Sequence, residues 1–341
     1  MLARAKSPLI LAIFPILTGL LLMTGCTTTP GQQAFERKGD EIVAAGQYFH
    51  TGAPVVLWTD PGGYDAYRVE RRFVPWEESH WDVSKEFVRE PNRYNLRHKG
   101  DWPAETLEQI RGGGWDLPLL QRTVDQFVIH YDVCGVSQQC FKVLHDMRTL
   151  SVHFMIDIDG TIYQTLDLKE RAWHAGHANS RSVGVELANM GAYRNPEDPV
   201  FSRWYGTDDR GRTRITIPES LGDGGVRTPN FVGYPTRQHK VEGLVQGETR
   251  YQYDLTDEQY DSLIKLTAAL HKIFPLIELD YPRGPDGQAL THVVPMEEQR
   301  TFQGLIGHHH LTEVKQDPGP AFDWERVVKG ARQELKPNLL P

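Results

Sequence analysis

Residues 125–133 read DQFVIHYDV, and the run Phe127, Val128, Ile129 is apolar without interruption. A strand half-exposed to water alternates apolar and polar residues. A short continuous run instead marks a strand covered on both faces, the kind found in α/β sheets with layers on either side. His130 stands at the carboxyl end of that run, the end at which open α/β sheets place their ligands.

The surrounding segments supply layers for such a strand. In QCFKVLHDMRTL (139–150), Phe141, Leu144 and Met147 recur at helical spacing. SVHFMIDIDGTIYQTL (151–166) alternates Val152, Phe154, Ile156 and Ile158 and then turns through Asp159-Gly160, a hairpin signal. SVGVELAN (182–189) puts Val183, Val185 and Leu187 on one face and Glu186 on the other, between the small residues Gly184 and Ala188. TDEQYDSLIKLTAALHKIF (256–274) reads as a helix capped by a Thr256/Gln259 box, its buried stripe running through Tyr260, Leu263, Ile264, Thr267, Leu270 and Phe274. A last strand-like stretch, TFQGLIG (301–307), leads into GHHHLTEVKQDPGPAFDW (307–324).

Two regions lack this regularity. Residues 35–102 are rich in Trp, Tyr, Gly and charge and are expected to form an N-terminal extension packed on a domain spanning 103–335. Residues 191–254, dense in Gly, Pro, Arg and Asp, are expected to be a functional insertion or a lid. The chain starts with Arg4 and Lys6 ahead of an apolar run, Leu9 to Met23, that is short for a spanning helix. An export signal over 1–25 is therefore expected. It is followed by Cys26 in LLMTGC, which resembles the cleavage and lipidation site of bacterial lipoproteins, a plain secretory signal or an uncleaved anchor being the alternatives, and by a polar tether over 26–34. Loss of the signal moves the formal net charge from −8 to −10, which offers phosphate no attraction, so nucleic acid is not an expected partner. Cys134 and Cys140 remain as a pair able to close a small disulfide loop in an oxidising compartment.

A hydrolytic zinc site takes three His, Asp, Glu or Cys ligands and keeps a fourth position for water. His130, one of the histidines 308–310, and Asp317 would supply that set. Amide hydrolysis also needs a group to carry a proton from water to the leaving nitrogen and one to stabilise the oxyanion. Glu186 on its strand suits the first task, and Lys315, two residues before Asp317, suits the second. The tripeptide His130-Tyr131-Asp132 also matches the H-x-D of two-histidine, one-carboxylate iron sites, but that reading leaves Lys315, Asp317 and Glu186 idle.

FVIHY, SVHFMIDIDGTIYQ, AWHAGHANSRSVGVELAN and GHHHLTEVKQDPGPAFDW, in this order, resemble the zinc-dependent N-acetylmuramoyl-L-alanine amidases related to peptidoglycan recognition proteins. The likeness spans roughly 103–330 and is broken by the 191–254 insertion. It implies a central mixed β-sheet flanked by helices, with a groove for peptidoglycan or a muropeptide above a Zn2+ ion. Carried over motif by motif, the ligands are His130, His308 and Asp317, with His309 as the alternative to His308; Glu186 is the catalytic glutamate and Lys315 the basic residue. Val152 stands where some relatives have an active-site tyrosine. His174 is expected to line the substrate groove or else to be structural, and His153 to be a hydrogen-bonded core residue. The likeness also leaves room for a second function, since some members of the wider superfamily bind peptidoglycan without cutting it. Thr27 after the presumed lipid cysteine points to an outer-membrane destination facing the periplasm.

Overall fold

The computed structural model describes residues 28–80, 94–97, 102–111 and 114–336; the stretch expected as an export signal and Cys26 lie outside the described residues. Along the chain come β1 (Gln33–Ala34), β2 (Glu41–Ala44), β3 (Gln47–His50), β4 (Val55–Leu57) and β5 (Tyr94–Leu96), then α1 (Ala104–Arg111), α2 (Leu117–Thr123), β6 (Gln126–Tyr131) and α3 (Ser137–Phe141). β7 (Phe154–Ile156), β8 (Ile162–Gln164), β9 (Glu170–Ala172) and β10 (Ser182–Leu187) follow. The segment expected as an insertion or lid folds into α4 (Pro199–Trp204) and two hairpins, β11 (Tyr205–Thr207) with β12 (Thr213–Ile215) and β13 (Val241–Val245) with β14 (Glu248–Gln252). The chain closes with α5 (Asp257–Ile273), α6 (Met296–Thr301), β15 (Gly304–Gly307), α7 (His308–Leu311) and α8 (Trp324–Glu334).

The central sheet is mixed and six-stranded, in the order β15-β6-β10-β7-β8-β4. β6 is paired in parallel with β15 and β10, as its unbroken apolar run requires. The one antiparallel step is the β7–β8 hairpin, turned by Gly160 at φ +79°. The sixth strand, β4, comes from the N-terminal extension and pairs with β8. β1, β3 and β2 form a separate antiparallel sheet.

One face of the central sheet presents Phe127, Ile129, Phe154, Val183, Val185 and Leu187 to Tyr260, Leu263, Leu266 and Leu270 of α5, with Val327, Val328 and Ala331 of α8 in the same core. Each such aliphatic side chain contributes about 1.5–3 kcal/mol by leaving water. The Thr256/Gln259 capping box is present. Ile264, counted with the buried stripe, is only half-buried and leans on α8, where a side chain at Gly330 would come within 2.6 Å of its Cδ1.

Two expectations from periodicity are corrected. After α3 the backbone widens into a π turn, Lys142–Met147, with Arg148 N–H bonding Val143 O. The wider turn rotates Met147 out to 63% exposure and brings His145 and Asp146 into the interior instead. Val152 does not share the face of Phe154 and Ile156: β7 begins two residues later, and Val152 packs with Met155, Phe141 and Tyr163 in a second core. No helix among the described residues is long and apolar enough to cross a membrane.

Candidate active site

Three adjacent parallel strands deliver the site. β10 is in register with β6 so that Glu186 lies directly opposite His130. On the other side, Gly307 of β15 lies opposite Ile129, which places His308, the next residue, level with His130. Successive residues of a strand alternate faces, so residues in register across parallel strands project to the same side. The carboxyl edge of the sheet therefore presents His308, His130 and Glu186 in a row. Asp317 arrives from the loop after α7, ahead of a cis peptide to Pro318.

At this edge the three candidate ligands meet. Asp317 Oδ2 is 2.8 Å from His130 Nδ1 and 3.0 Å from His308 Nδ1, and the two nitrogens are 3.0 Å apart. All three side chains are almost wholly shielded. His130 Nε2 is 3.0 Å from His174 Nδ1, and His174 Nε2 is 3.3 Å from Ser182 Oγ. Assigning the His130 hydrogen to Nε2, where it donates to His174, leaves the Nδ1 lone pair facing the carboxylate. Metal-bound histidines are oriented by a bond of this kind from their other nitrogen. Burial, reinforced by His308, pushes the His130 pKa down to about 4, keeping the ring neutral. Burial opposes charge on Asp317, yet the imidazoles of His308 and His130 hold its carboxyl well below the usual range. A neutral imidazole at His130 and an ionised carboxylate at Asp317 are protonation states that metal binding requires. The donors fit a zinc ion.

A cavity of ≈ 270 Å³ opens beside these atoms, lined among others by Glu186, Lys315, His174 and Trp173. Glu186 Oε2 has no hydrogen-bond partner. Burial first, and then the charges of Asp317 and Asp132, raise the Glu186 pKa well above the ordinary carboxyl value, while Lys315 acts in the opposite direction. A carboxylate held above its ordinary pKa takes up a proton more readily than a solvated one. Trp173, half-buried, is part of the cavity wall.

The other two histidines of the triplet do structural tasks. His310 Nδ1 accepts from Gly307 N–H at 2.9 Å, so its Nε2 carries the hydrogen and donates to Leu290 O at 2.6 Å. His309 Nδ1 lies 3.0 Å from the Asp317 carbonyl oxygen and its Nε2 3.2 Å from that of Leu290. His308 is therefore the member of the triplet that reaches the cluster. Asp132 departs from the iron-site reading, because its Oδ1 accepts the backbone N–H groups of Cys134, Gly135 and Asn189. Cys134 and Cys140 are free thiols. His153 is a fully buried core residue, its Nδ1 accepting from Gly184 N–H and its Nε2 3.0 Å from Glu170 O.

Several contributors escaped the sequence. The space beside Glu186 provided by Gly184 is filled by His174: a Cβ at Gly184 would lie 2.4 Å from that ring. The alternation of β10 signals a small residue there but not what fills the gap. From the β13–β14 turn, Gln246 Nε2 donates to the carbonyls of His309, Thr312 and Lys315, and Gln252 Nε2 donates to Pro318 O and Asn189 Oδ1. Two glutamines of the irregular segment thus brace the loop that carries Lys315 and Asp317, and nothing in their local sequence indicates it.

Residues 120–220 match the family described as N-acetylmuramoyl-L-alanine amidase. That stretch holds His130, His174 and Glu186 and ends before His308 and Asp317. Among solved structures, a selenomethionine AmpD derivative is 19% identical, with 70% of this chain and 90% of that chain covered and a TM-score of 0.32. The complex of the amidase AmiD from E. coli with anhydro-N-acetylmuramic acid-L-Ala-D-gamma-Glu-L-Lys is 17% identical, covering 61% of this chain and 57% of that one, TM-score 0.35. The endolysin LysCS from Clostridium intestinale URNW is 16% identical, covering 64% and 88%, TM-score 0.30. No curated protein is similar enough to match.

Proposed function

We propose that this chain is a zinc-dependent amidase that hydrolyses the bond between the lactyl carbonyl of N-acetylmuramic acid and the L-alanine of the peptidoglycan stem peptide. One observation carries the reading: two imidazole nitrogens and a carboxylate oxygen lie within 3.0 Å of one another at the sheet's carboxyl edge, beside an unpartnered glutamate oxygen. The family match over 120–220 supports the choice of bond.

His130, His308 and Asp317 would hold the ion. When bound, zinc supplies Lewis acidity that makes water acidic near neutral pH and polarises the carbonyl. Glu186 takes the proton of the attacking water and passes it to the leaving nitrogen, so that OH ends on the carbonyl carbon and H on the amine. Lys315, on the cavity wall, places positive charge beside the oxyanion that develops on the carbonyl oxygen. His174 fixes the orientation of His130 and also lines the cleft. The apolar, basic-flanked N-terminus and Cys26 support an exported protein held by lipid at the outer membrane, facing the periplasm.

Mass spectrometry of defined muropeptides tests this. The expected result is release of the intact stem peptide, stopped by a chelator and restored by Zn2+. Tight muropeptide binding without turnover in zinc-loaded protein, or turnover indifferent to chelation, would overturn it.

A further inference from the structure

Away from the cleft, the β2–β3 hairpin gathers another donor set. Its register places Glu41 opposite His50, and Asp40 precedes Glu41. His50 Nδ1 is 2.9 Å from Asp40 Oδ1 and 3.5 Å from Glu41 Oε1, and the three ligand atoms all lie within 4.8 Å of one another.

Each carboxylate has one oxygen already occupied. Glu41 Oε2 accepts from Arg37 Nη1, Lys38 N–H and Gly39 N–H at 2.8–2.9 Å. Asp40 Oδ2 accepts from Thr28 Oγ1 and Gly52 N–H. The other oxygens turn to His50. Glu41 is fully buried, and its Oε1 accepts no hydrogen bond. A buried carboxyl oxygen without a partner is costly and needs an explanation, a bound ion being one. Two carboxylates side by side are relieved by a cation or a proton placed between them. Ligand bonds of roughly 2.0–2.2 Å around a tetrahedral ion set donor atoms about 3.3–3.6 Å apart; the His50–Glu41 distance of 3.5 Å has that spacing and the His50–Asp40 distance of 2.9 Å is shorter.

We propose that Asp40, Glu41 and His50 form a second divalent-cation site, suited by its one nitrogen and two oxygens to zinc, with a structural role. The side chains of His50 and Asp40 keep 10% and 19% of their surface exposed, leaving access for water as a remaining ligand. The site lies where the N-terminal sheet hands the chain to β4: Val55 N–H bonds Gly39 O, and Arg37, which holds Glu41, also bonds Val55 O. An ion here ties that crossing together.

The test uses the full chain with the cleft site disabled by His130→Ala and Asp317→Ala. After dialysis against metal-free buffer, elemental analysis should still find about one zinc per chain. Adding Glu41→Gln, which keeps the side chain's size, should remove it. The thermal midpoint of the cleft-disabled chain should rise on adding Zn2+, and that rise should vanish with Glu41→Gln. Asp40→Asn gives the same readout should Glu41→Gln not fold. A folded cleft-disabled chain without zinc, or one whose zinc survives both Glu41→Gln and Asp40→Asn, would show that a proton shared with His50 fills the position instead. Muropeptide cleavage by the wild-type chain is unaffected by either outcome, so this proposal and the amidase reading fail separately.

Discussion

The donors at the sheet's carboxyl edge and those of the β2–β3 hairpin converge with similar spacing, 2.8–3.0 Å in one and 2.9–3.5 Å in the other. They differ in what surrounds them. In the cleft, His130 lies 178 and 187 residues from His308 and Asp317, so only the finished sheet brings them together. In the hairpin, the donors are 10 residues apart or fewer. The cleft cluster faces a cavity with Glu186 beside it, whereas the hairpin carboxylates are enclosed by Arg37, Thr28 and backbone N–H groups. Convergence of ligands makes a place for an ion; an open side and an adjacent proton carrier make it a place for chemistry.

The largest effect should separate these two roles. Glu186→Gln is expected to lower kcat for muropeptide cleavage about 10²–10⁴-fold while leaving the zinc content of the protein unchanged. A fall in zinc content along with activity would make Glu186 a ligand and erase the contrast. Next, His174→Ala should weaken zinc binding in the cleft about 10–100-fold, read by chelator competition, because His130 loses the group that orients it. Unaltered affinity would reduce His174 to a wall residue.

Smaller effects test the histidines that hold no ion. His310→Ala strands the Gly307 N–H and should cost about 1–3 kcal/mol in denaturant unfolding, with zinc affinity retained. The His145–Asp146 contact, 2.6 Å, is a histidine–carboxylate pair to which no third ligand is joined among the described residues. Asp146 Oδ1 and Oδ2 also accept Arg72 and Phe73 N–H, and against the effect of burial these bonds and His145 hold its pKa below the ordinary value. A carboxyl depressed in the folded state contributes stability that is present above its unfolded pKa of about 3.9 and lost as pH falls through the lower folded value. Asp146→Asn should therefore destabilise the protein modestly at neutral pH and flatten the acid limb of its stability curve, with no change in zinc content.

The sequence disclosed the parts of this architecture that depend on local periodicity. The uninterrupted run 127–129 anticipates a central strand, the alternation around Glu186 anticipates its place between two small residues, and the Thr256/Gln259 box anticipates the start of α5. Met147 was misplaced because a π turn changes the period within a helix, and no residue in KVLHDM announces one. The orientation of His130 by His174 depends on a gap above Gly184 in a neighbouring strand, which a one-dimensional pattern does not relate to position 130. Gln246 and Gln252 act through tertiary distance alone. Asp40, Glu41 and His50 lie in a stretch without periodicity, where two acids and a histidine read as ordinary surface residues until the hairpin register pairs them.

The three residues Val55–Leu57 have a practical outcome for anyone shortening this protein. Trimming the gene to begin near residue 103 would strip β8 of its outer neighbour and leave a row of bare peptide groups, an adhesive margin that invites other copies to dock. The leading third of the polypeptide is thus a selvedge woven into the fabric, and a truncated product should be recovered as aggregate rather than as a smaller catalyst.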